Sequence, residues 1–267
     1  MISIDAGKCT TCGRCVDECP SLILKIEDKI PVMTSEMACI RCGHCVAICP
    51  TSAFDHSLAP LAMQSPLRQH PVLGPIEAER FLRSRRSVRN FKKDAVQRVL
   101  LSQLVNIARF APSSGNSQGL SYLIVDNRTL LKKVSDATID WIINDTSGSR
   151  RMRFYKLFIE KFAKNGIDVI LRDAPVLVVA LASKQHETGL SNARFSLAYT
   201  ELYATTLGLA SCWAGFFELC GQAGYQPVYD LLEIPADKVI CGGLMVGYPK
   251  YEYKRLVDRN PLELRFL

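Results

Sequence analysis

Cys9-Thr10-Thr11-Cys12-Gly13-Arg14-Cys15-Val16-Asp17-Glu18-Cys19-Pro20 and Cys39-Ile40-Arg41-Cys42-Gly43-His44-Cys45-Val46-Ala47-Ile48-Cys49-Pro50 are two copies of one run, C-x2-C-x2-C-x3-C-P, offset by 30 residues. Eight of the eleven cysteines lie in them. The spacing suits a pair of [4Fe–4S] clusters, each needing four convergent thiolates. A tight loop supplies three of these, and the fourth comes from the other copy. Cys9, Cys12, Cys15 and Cys49 are therefore expected around one cluster, and Cys39, Cys42, Cys45 and Cys19 around the other. Zinc is the weaker alternative, because zinc knuckles do not add a third and fourth cysteine at this spacing. Disulfides would need an oxidising compartment, to which nothing in the sequence points.

Outward from these runs, the 267 residues divide into a small and a large part. Residues 1–55 are too short to bury much core unaided and are expected to be held together by the clusters. Residues 56–75, with Pro60, Pro66, Pro71 and Pro75, are expected to form an extended linker. Residues 76–267 suffice for a cored domain. The formal charge of +7 misleads, since each cluster with its thiolates carries about −2 and a bound phosphate about −1.5 to −2 more. A nearly neutral holo-protein disfavours nucleic acid as a partner. Met1–Lys8 lacks the apolar core of a signal peptide. The longest apolar run, Ala174–Ala182, is far too short to span a bilayer. Cluster ligands and three spare cysteines fit a reducing cytoplasm.

In the large part, Asp94 is expected to cap a helix through Phe110, with Val96, Leu100, Leu104, Ile107 and Ala111 on its buried face. Leu120–Val125 has a strand pattern, and Arg128–Ile143 and Arg151–Lys164 helical ones. Pro175–Leu181 is a continuous apolar run expected to be a strand buried on both faces. Ser191–Leu207 is an expected helix closed by Gly208, with Ala193, Leu197, Ala204 and Leu207 as its apolar face. Lys238–Val246 is expected to be a final central strand. Helices alternating with few strands predict an α+β fold, a modest sheet with helices around it.

Three segments of this part carry chemistry. Arg85-Arg86-Ser87-Val88-Arg89-Asn90-Phe91 places three cations and a hydroxyl within five residues, a good phosphate cradle or else a solvated basic helix end. Ala111-Pro112-Ser113-Ser114-Gly115-Asn116-Ser117-Gln118 is a polar loop of small residues, or an ordinary turn. Leu207-Gly208-Leu209-Ala210-Ser211-Cys212-Trp213-Ala214-Gly215 ends a helix at glycine and is expected to lead into a strand offering backbone to a planar ring. Cys212, Cys220 and Cys241 are expected to be buried thiols. His44 lies inside the second cysteine run, where it would tune or pack rather than ligate, and His186 with Glu187 carries no assigned role.

Together with Gly247-Tyr248-Pro249, these segments resemble the nitroreductase superfamily of FMN enzymes over roughly residues 76–267. The whole chain resembles its branch fused to a bacterial-type ferredoxin domain. The resemblance implies an FMN-dependent oxidoreductase with two [4Fe–4S] clusters. It implies that Arg85 and Ser87 hold the FMN phosphate and ribityl end, that Arg86 lies alongside, and that Arg89 faces the pyrimidine edge. It implies that Pro112, Ser113, Ser114 and Asn116 approach the flavin from the partner subunit of a homodimer. Backbone at Ala214 and Gly215 would meet the N5 edge, and Arg255 or Arg259 would complete the phosphate site. The expected acceptor is a nitroaromatic, a quinone or another conjugated electrophile, and the candidate donors are ferredoxin and NAD(P)H. The alternatives are a flavin-carrying electron-transfer protein whose acceptor is another protein, and an FMN-fragmenting or dehalogenating enzyme. One departure stands out: Gln118 is followed by Gly119-Leu120, where the family commonly continues Pro-Trp. The lack of a G-x-G-x-x-G motif does not count against NAD(P)H, which the family binds without a nucleotide fold.

Overall fold

A computed structural model describes residues 1–67, 73–163 and 165–267, so residues 68–72 of the expected linker lie outside the described part. The chain falls into two compact units, 1–73 with 115–117, and 74–114 with 118–267. The first unit contains β1 (Ile2–Ile4), α1 (Arg14–Asp17), β2 (Leu24–Glu27), β3 (Ile30–Met33), α2 (His44–Ala47) and β4 (Phe54–His56). β1 pairs antiparallel with β4, and β2 with β3. The sequence repeat becomes a structural one. Each cysteine run enters its helical turn through a glycine in the left-handed region, Gly13 at φ 77° and Gly43 at φ 74°. Side chains with a Cβ rarely adopt that conformation, so glycine there lets the third cysteine of each run turn back. The core is small, with Cys15, Leu24, Val46 and Phe54 at its centre. Within this unit, Asn116 Nδ2 donates to the carbonyls of Ile40 (3.0 Å) and Arg41 (3.1 Å).

The second unit contains α3 (Pro75–Ser84), α4 (Arg98–Asn106), β5 (Leu120–Val125), α5 (Arg128–Ile143), α6 (Arg150–Ala163), β6 (Val176–Ser183), α7 (Gly189–Thr206), β7 (Ala210–Trp213), α8 (Gly215–Gln222), α9 (Gln226–Leu231) and β8 (Lys238–Gly247). The fold is α+β: an antiparallel sheet of order β5-β6-β8-β7 with helices against both faces. β6 shows why its sequence is continuously apolar. Leu177, Val179 and Leu181 enter one core cluster with Phe217 and Met245, and Val176, Val178, Ala180 and Ala182 enter the other with Leu197 and Leu244. Strand side chains alternate between faces, so a strand buried twice carries no polar alternation. β8 is central, as expected, and uses glycine for close approach. A Cβ on Gly242 would sit 2.8 Å from Leu197, and one on Gly243 would sit 2.8 Å from Phe217.

β5 and α5 have the expected bounds, and Asn127 explains the start of α5 by accepting from Leu130 N at 3.0 Å. α7 ends as expected, with Gly208 at φ 68° beyond its last turn. The helix expected from Asp94 to Phe110 begins instead at Arg98 and passes into a 3-10 turn over Ile107–Phe110. The chain before it is held extended, with Lys92 N donating to the Tyr248 carbonyl and Phe91 bridged to Pro249. Asp94 therefore caps nothing, and the buried face is Leu101, Leu104 and Ala108. Ala214 and Gly215, expected in a strand, form the N-cap and first residue of α8. α3, α8 and α9 add to the elements expected from the sequence pattern. No helix among the described residues is long and apolar enough to cross a membrane.

Candidate functional site

The eight run cysteines divide between two cavities. One is lined by Cys9, Cys12, Cys15 and Cys49, the other by Cys39, Cys42, Cys45 and Cys19. Among the described residues no three His, Cys, Asp or Glu side chains converge on the position of a single metal ion. The thiols instead face a common space, as ligands of a polynuclear centre do. Their electrostatics fit such a centre. Burial pushes the Cys15 thiol up and the Cys45 thiol up to about 11, so both need an adjacent cationic metal to be held as thiolates. Cys49 is half-buried, and although burial pushes its thiol up, Thr51, Ala53 and Phe54 donate toward it and leave it below its ordinary value. Ala53 N reaches its sulfur at 3.2 Å. Donors of this kind set the properties of a bound cluster.

His56 belongs to the same site, which its sequence position did not suggest. It is 2% exposed, and its Nε2 lies 3.5 Å from Cys39 Sγ. Leu58 N donates to His56 Nδ1 at 3.0 Å, so in the neutral ring the proton is on Nε2 and points at the sulfur. His44 is the first residue of α2 and lines the Cys39–Cys45 cavity.

In the second unit the Arg85–Phe91 segment leaves the end of α3 in extended form and lies along β7, where Val88 N donates to the Ser211 carbonyl at 2.9 Å. Each cation has a different setting. Arg85 Nη1 lies 3.5 Å from Glu201 Oε1, and Ser211 Oγ donates to the same oxygen at 3.1 Å. Burial raises the Glu201 carboxyl above its ordinary range, opposed by Arg85 and Ser211. Arg86 has its guanidinium 5.6 Å from the centre of the Tyr253 ring, while its Nε is buried with no acceptor. Arg89 is exposed and donates to the Ser87 carbonyl at 3.2 Å.

Arg89 opens onto a cavity lined also by Arg151, Arg172, Cys212, Trp213 and Gly215. A Cβ at Gly215 would meet nothing within 4 Å, so backbone is bare there. The N–H of Ala214 is taken by the Gly243 carbonyl at 2.8 Å, whereas that of Gly215, at the first position of α8, has no intrahelical acceptor. Trp213 is held by Glu218, which accepts from its ring N–H. Burial raises the Cys212 thiol, although Arg89 opposes this.

The Pro112–Asn116 loop is anchored by a residue that its sequence context does not single out. Ser114 N donates to Oδ1 of the buried Asn192 at 3.1 Å, and Asn192 Nδ2 lies 3.0 Å from His186 Nε2. Gln118 N donates to Ser113 Oγ at 3.1 Å. Arg255 and Arg259 lie in an exposed tail, and the side chain of neither makes a hydrogen bond or ion pair among the described residues. Tyr253, in the same tail, meets Arg86 of the Arg85–Arg89 run.

These features suit an anionic planar cofactor: guanidiniums, a buried N–H lacking an acceptor, and bare backbone beside an open cavity. Residues 82–248 match the profile of the Nitroreductase family. The chain belongs to the nitroreductase family. It is an FMN-dependent oxidoreductase of that family, and its residues 1–50 match the 4Fe-4S dicluster domain. A protein of Archaeoglobus fulgidus with the provisional name NADH dehydrogenase/NAD(P)H nitroreductase is 24% identical over 177 residues, 66% of this chain and 87% of that one. The 5,6-dimethylbenzimidazole synthase of Rhodospirillum rubrum is 23% identical over 175 residues, 63% of this chain and 80% of that one. The family fold also appears in the crystal structure of a Desulfitobacterium hafniense nitroreductase with bound FMN. It matches at a TM-score of 0.57 and 20% identity over 70% of this chain and 98% of that one.

Proposed function

We propose that this nitroreductase-family oxidoreductase takes electrons singly from a low-potential donor, through two [4Fe–4S] clusters, and delivers them in pairs from FMN to a small conjugated acceptor such as a nitroaromatic or quinone. The observation that carries the reading is the division of eight cysteines between two like cavities in a chain whose other unit belongs to a flavin family. An iron–sulfur unit is superfluous if NAD(P)H reduces the flavin directly.

FMN, when bound, supplies the exchange between one- and two-electron chemistry. The chain supplies binding and electrostatics. Arg85, Arg86 and Ser87 would hold its phosphate and ribityl end, and the buried Arg86 Nε has a donor to spare for it. Arg89 would stand at the pyrimidine edge, where a cation favours negative charge on the ring. Gly215 would offer its open backbone. Pro112, Ser113, Ser114 and Asn116 are proposed to act across a homodimer. The tail supports that assembly, since Tyr251, Leu262, Leu264 and Phe266 are exposed and have no place in their own core. Arg255 or Arg259, on the same tail, is a candidate for the phosphate of the partner's FMN. The proposed setting is a reducing cytoplasm.

The test compares donors in anaerobically prepared full-length protein. Reduced ferredoxin should support faster turnover of a nitroaromatic than NADH or NADPH. Cys42→Ser should slow ferredoxin-driven turnover sharply, while photoreduced protein still reduces the acceptor. Rapid NAD(P)H-driven turnover in Cys42→Ser, at the wild-type rate, would sink the proposed route.

A further inference from the structure

The cavity that Arg89 opens onto has more positive charge than a flavin edge needs. Arg89, Arg151 and Arg172 all line it, and no Asp or Glu does. None of the three forms an ion pair among the described residues. Each is held in place by other means. Arg89 is tied to the Ser87 carbonyl. Arg151 Nε donates to Tyr155 Oη at 2.7 Å, and its guanidinium lies 5.4 Å from that ring's centre.

Arg172 stands on a turn built by one carboxylate. Asp168 Oδ1 accepts from Ile170 N and Leu171 N, both at 3.0 Å, and from Ser135 Oγ at 2.7 Å. Its Oδ2 accepts from Asp173 N at 3.1 Å. That turn puts Arg172 in the left-handed region, at φ 58°. Arg172 forms no ion pair with neighbouring Asp173. It lines the cavity together with Cys212, as Arg89 does.

The rest of the lining is largely apolar, with Val169, Ile170, Leu219 and Met245 beside three aromatic rings. Tyr155 meets Phe216 edge to face at 4.8 Å, and Trp213 lines the same space. Three cations facing one space repel each other unless an anion sits among them. Arg89 alone serves the pyrimidine edge in the proposed flavin site, which leaves Arg151 and Arg172 in excess. A planar guanidinium fork matches a carboxylate, and ring surface matches a conjugated body.

We propose that this cavity selects a conjugated acceptor bearing a carboxylate, with Arg151 and Arg172 holding the carboxylate and Tyr155, Phe216 and Trp213 flanking the conjugated body. The proposal rests on the flavin site described above and adds the substrate's charge to it.

The test is equilibrium binding to the FMN-loaded, oxidised full-length protein, with no reductant present and so no turnover. Titration calorimetry compares 4-nitrobenzoate with the uncharged 4-nitrobenzamide. The benzoate should bind at least about tenfold tighter at low salt, the scale of one charge-assisted pair. Added salt should shrink the difference. Arg151→Gln and Arg172→Gln should each reduce the preference several-fold and leave FMN affinity, read by flavin fluorescence, unchanged. Equal binding of the two ligands by FMN-loaded protein overturns this proposal alone. Variants that lose FMN several-fold while keeping the preference also overturn it, by assigning these cations to the flavin. A wild-type chain that takes up no FMN overturns both this proposal and the flavin reading beneath it.

Discussion

Arg85→Ala should damage two separable properties. Arg85 is proposed to bind the FMN phosphate, but it also neutralises Glu201, whose side chain is only 11% exposed. Removing one partner of a fully buried pair costs about 3–5 kcal/mol. Here the separation is 3.5 Å, the Arg85 side chain is 26% exposed, and Ser211 still donates to Glu201. The cost should therefore fall to about 2 kcal/mol. For a unit of this size that lowers Tm by roughly 4–8 °C.

The loss should depend on pH in a definite direction. Burial holds the folded-state pKa of Glu201 above its ordinary 4.5. Protonation is then favoured in the folded chain, so the associated stability is fully present below about 4.5 and is lost as pH rises through the folded value. Without Arg85 the folded value climbs further and the loss grows. The deficit of Arg85→Ala against wild type should be large at pH 8 and small at pH 5. Adding Glu201→Gln removes the stranded charge and should recover most of the stability, but none of the FMN affinity. Thermal melts at the two pH values, together with FMN titration of the single and double variants, check this. A deficit that does not vary with pH, or a double variant no more stable than Arg85→Ala, would refute the reasoning.

Two further outcomes concern the iron–sulfur unit. Cys19→Ser should damage the centre facing Cys39, Cys42 and Cys45, leaving that facing Cys9, Cys12 and Cys15 intact; EPR with iron counting checks it, and selective loss of the latter would contradict the crossed arrangement. His56→Phe removes the donor at Cys39, and losing a net hydrogen bond of about 1 kcal/mol should lower the potential of that centre by about 40 mV, measured by redox titration.

Much of this protein is legible in its sequence because its chemistry is local along the chain. A cluster loop needs its ligands within a few residues, so the cysteine runs declare themselves. A strand buried on both faces, such as Val176–Ser183, has to be apolar throughout, and a helix such as Gly189–Thr206 closes at a glycine that tolerates positive φ. The Arg85–Arg89 run is equally visible, though not the separate roles of its members. Those depend on Glu201 and Tyr253, which are distant in sequence. The start of α4 departs from expectation for a similar reason. Asp94 has the local chemistry of a cap, but pairing of Phe91 with Pro249 and of Lys92 with Tyr248 keeps the chain extended past it.

The sequence by itself determined the fold class, the flavin family and the 4Fe-4S domain, because spacing along the chain sets what a loop, strand or helix can offer. Only the tertiary structure decided which cation is neutralised and which faces an open cavity. It also placed His56 on Cys39, anchored Ser114 on Asn192, and gathered Arg89, Arg151 and Arg172 around one cavity. Those outcomes depend on distances and burial between residues far apart in the chain. A charge acts on whatever packs against it, and packing is a property of the folded molecule.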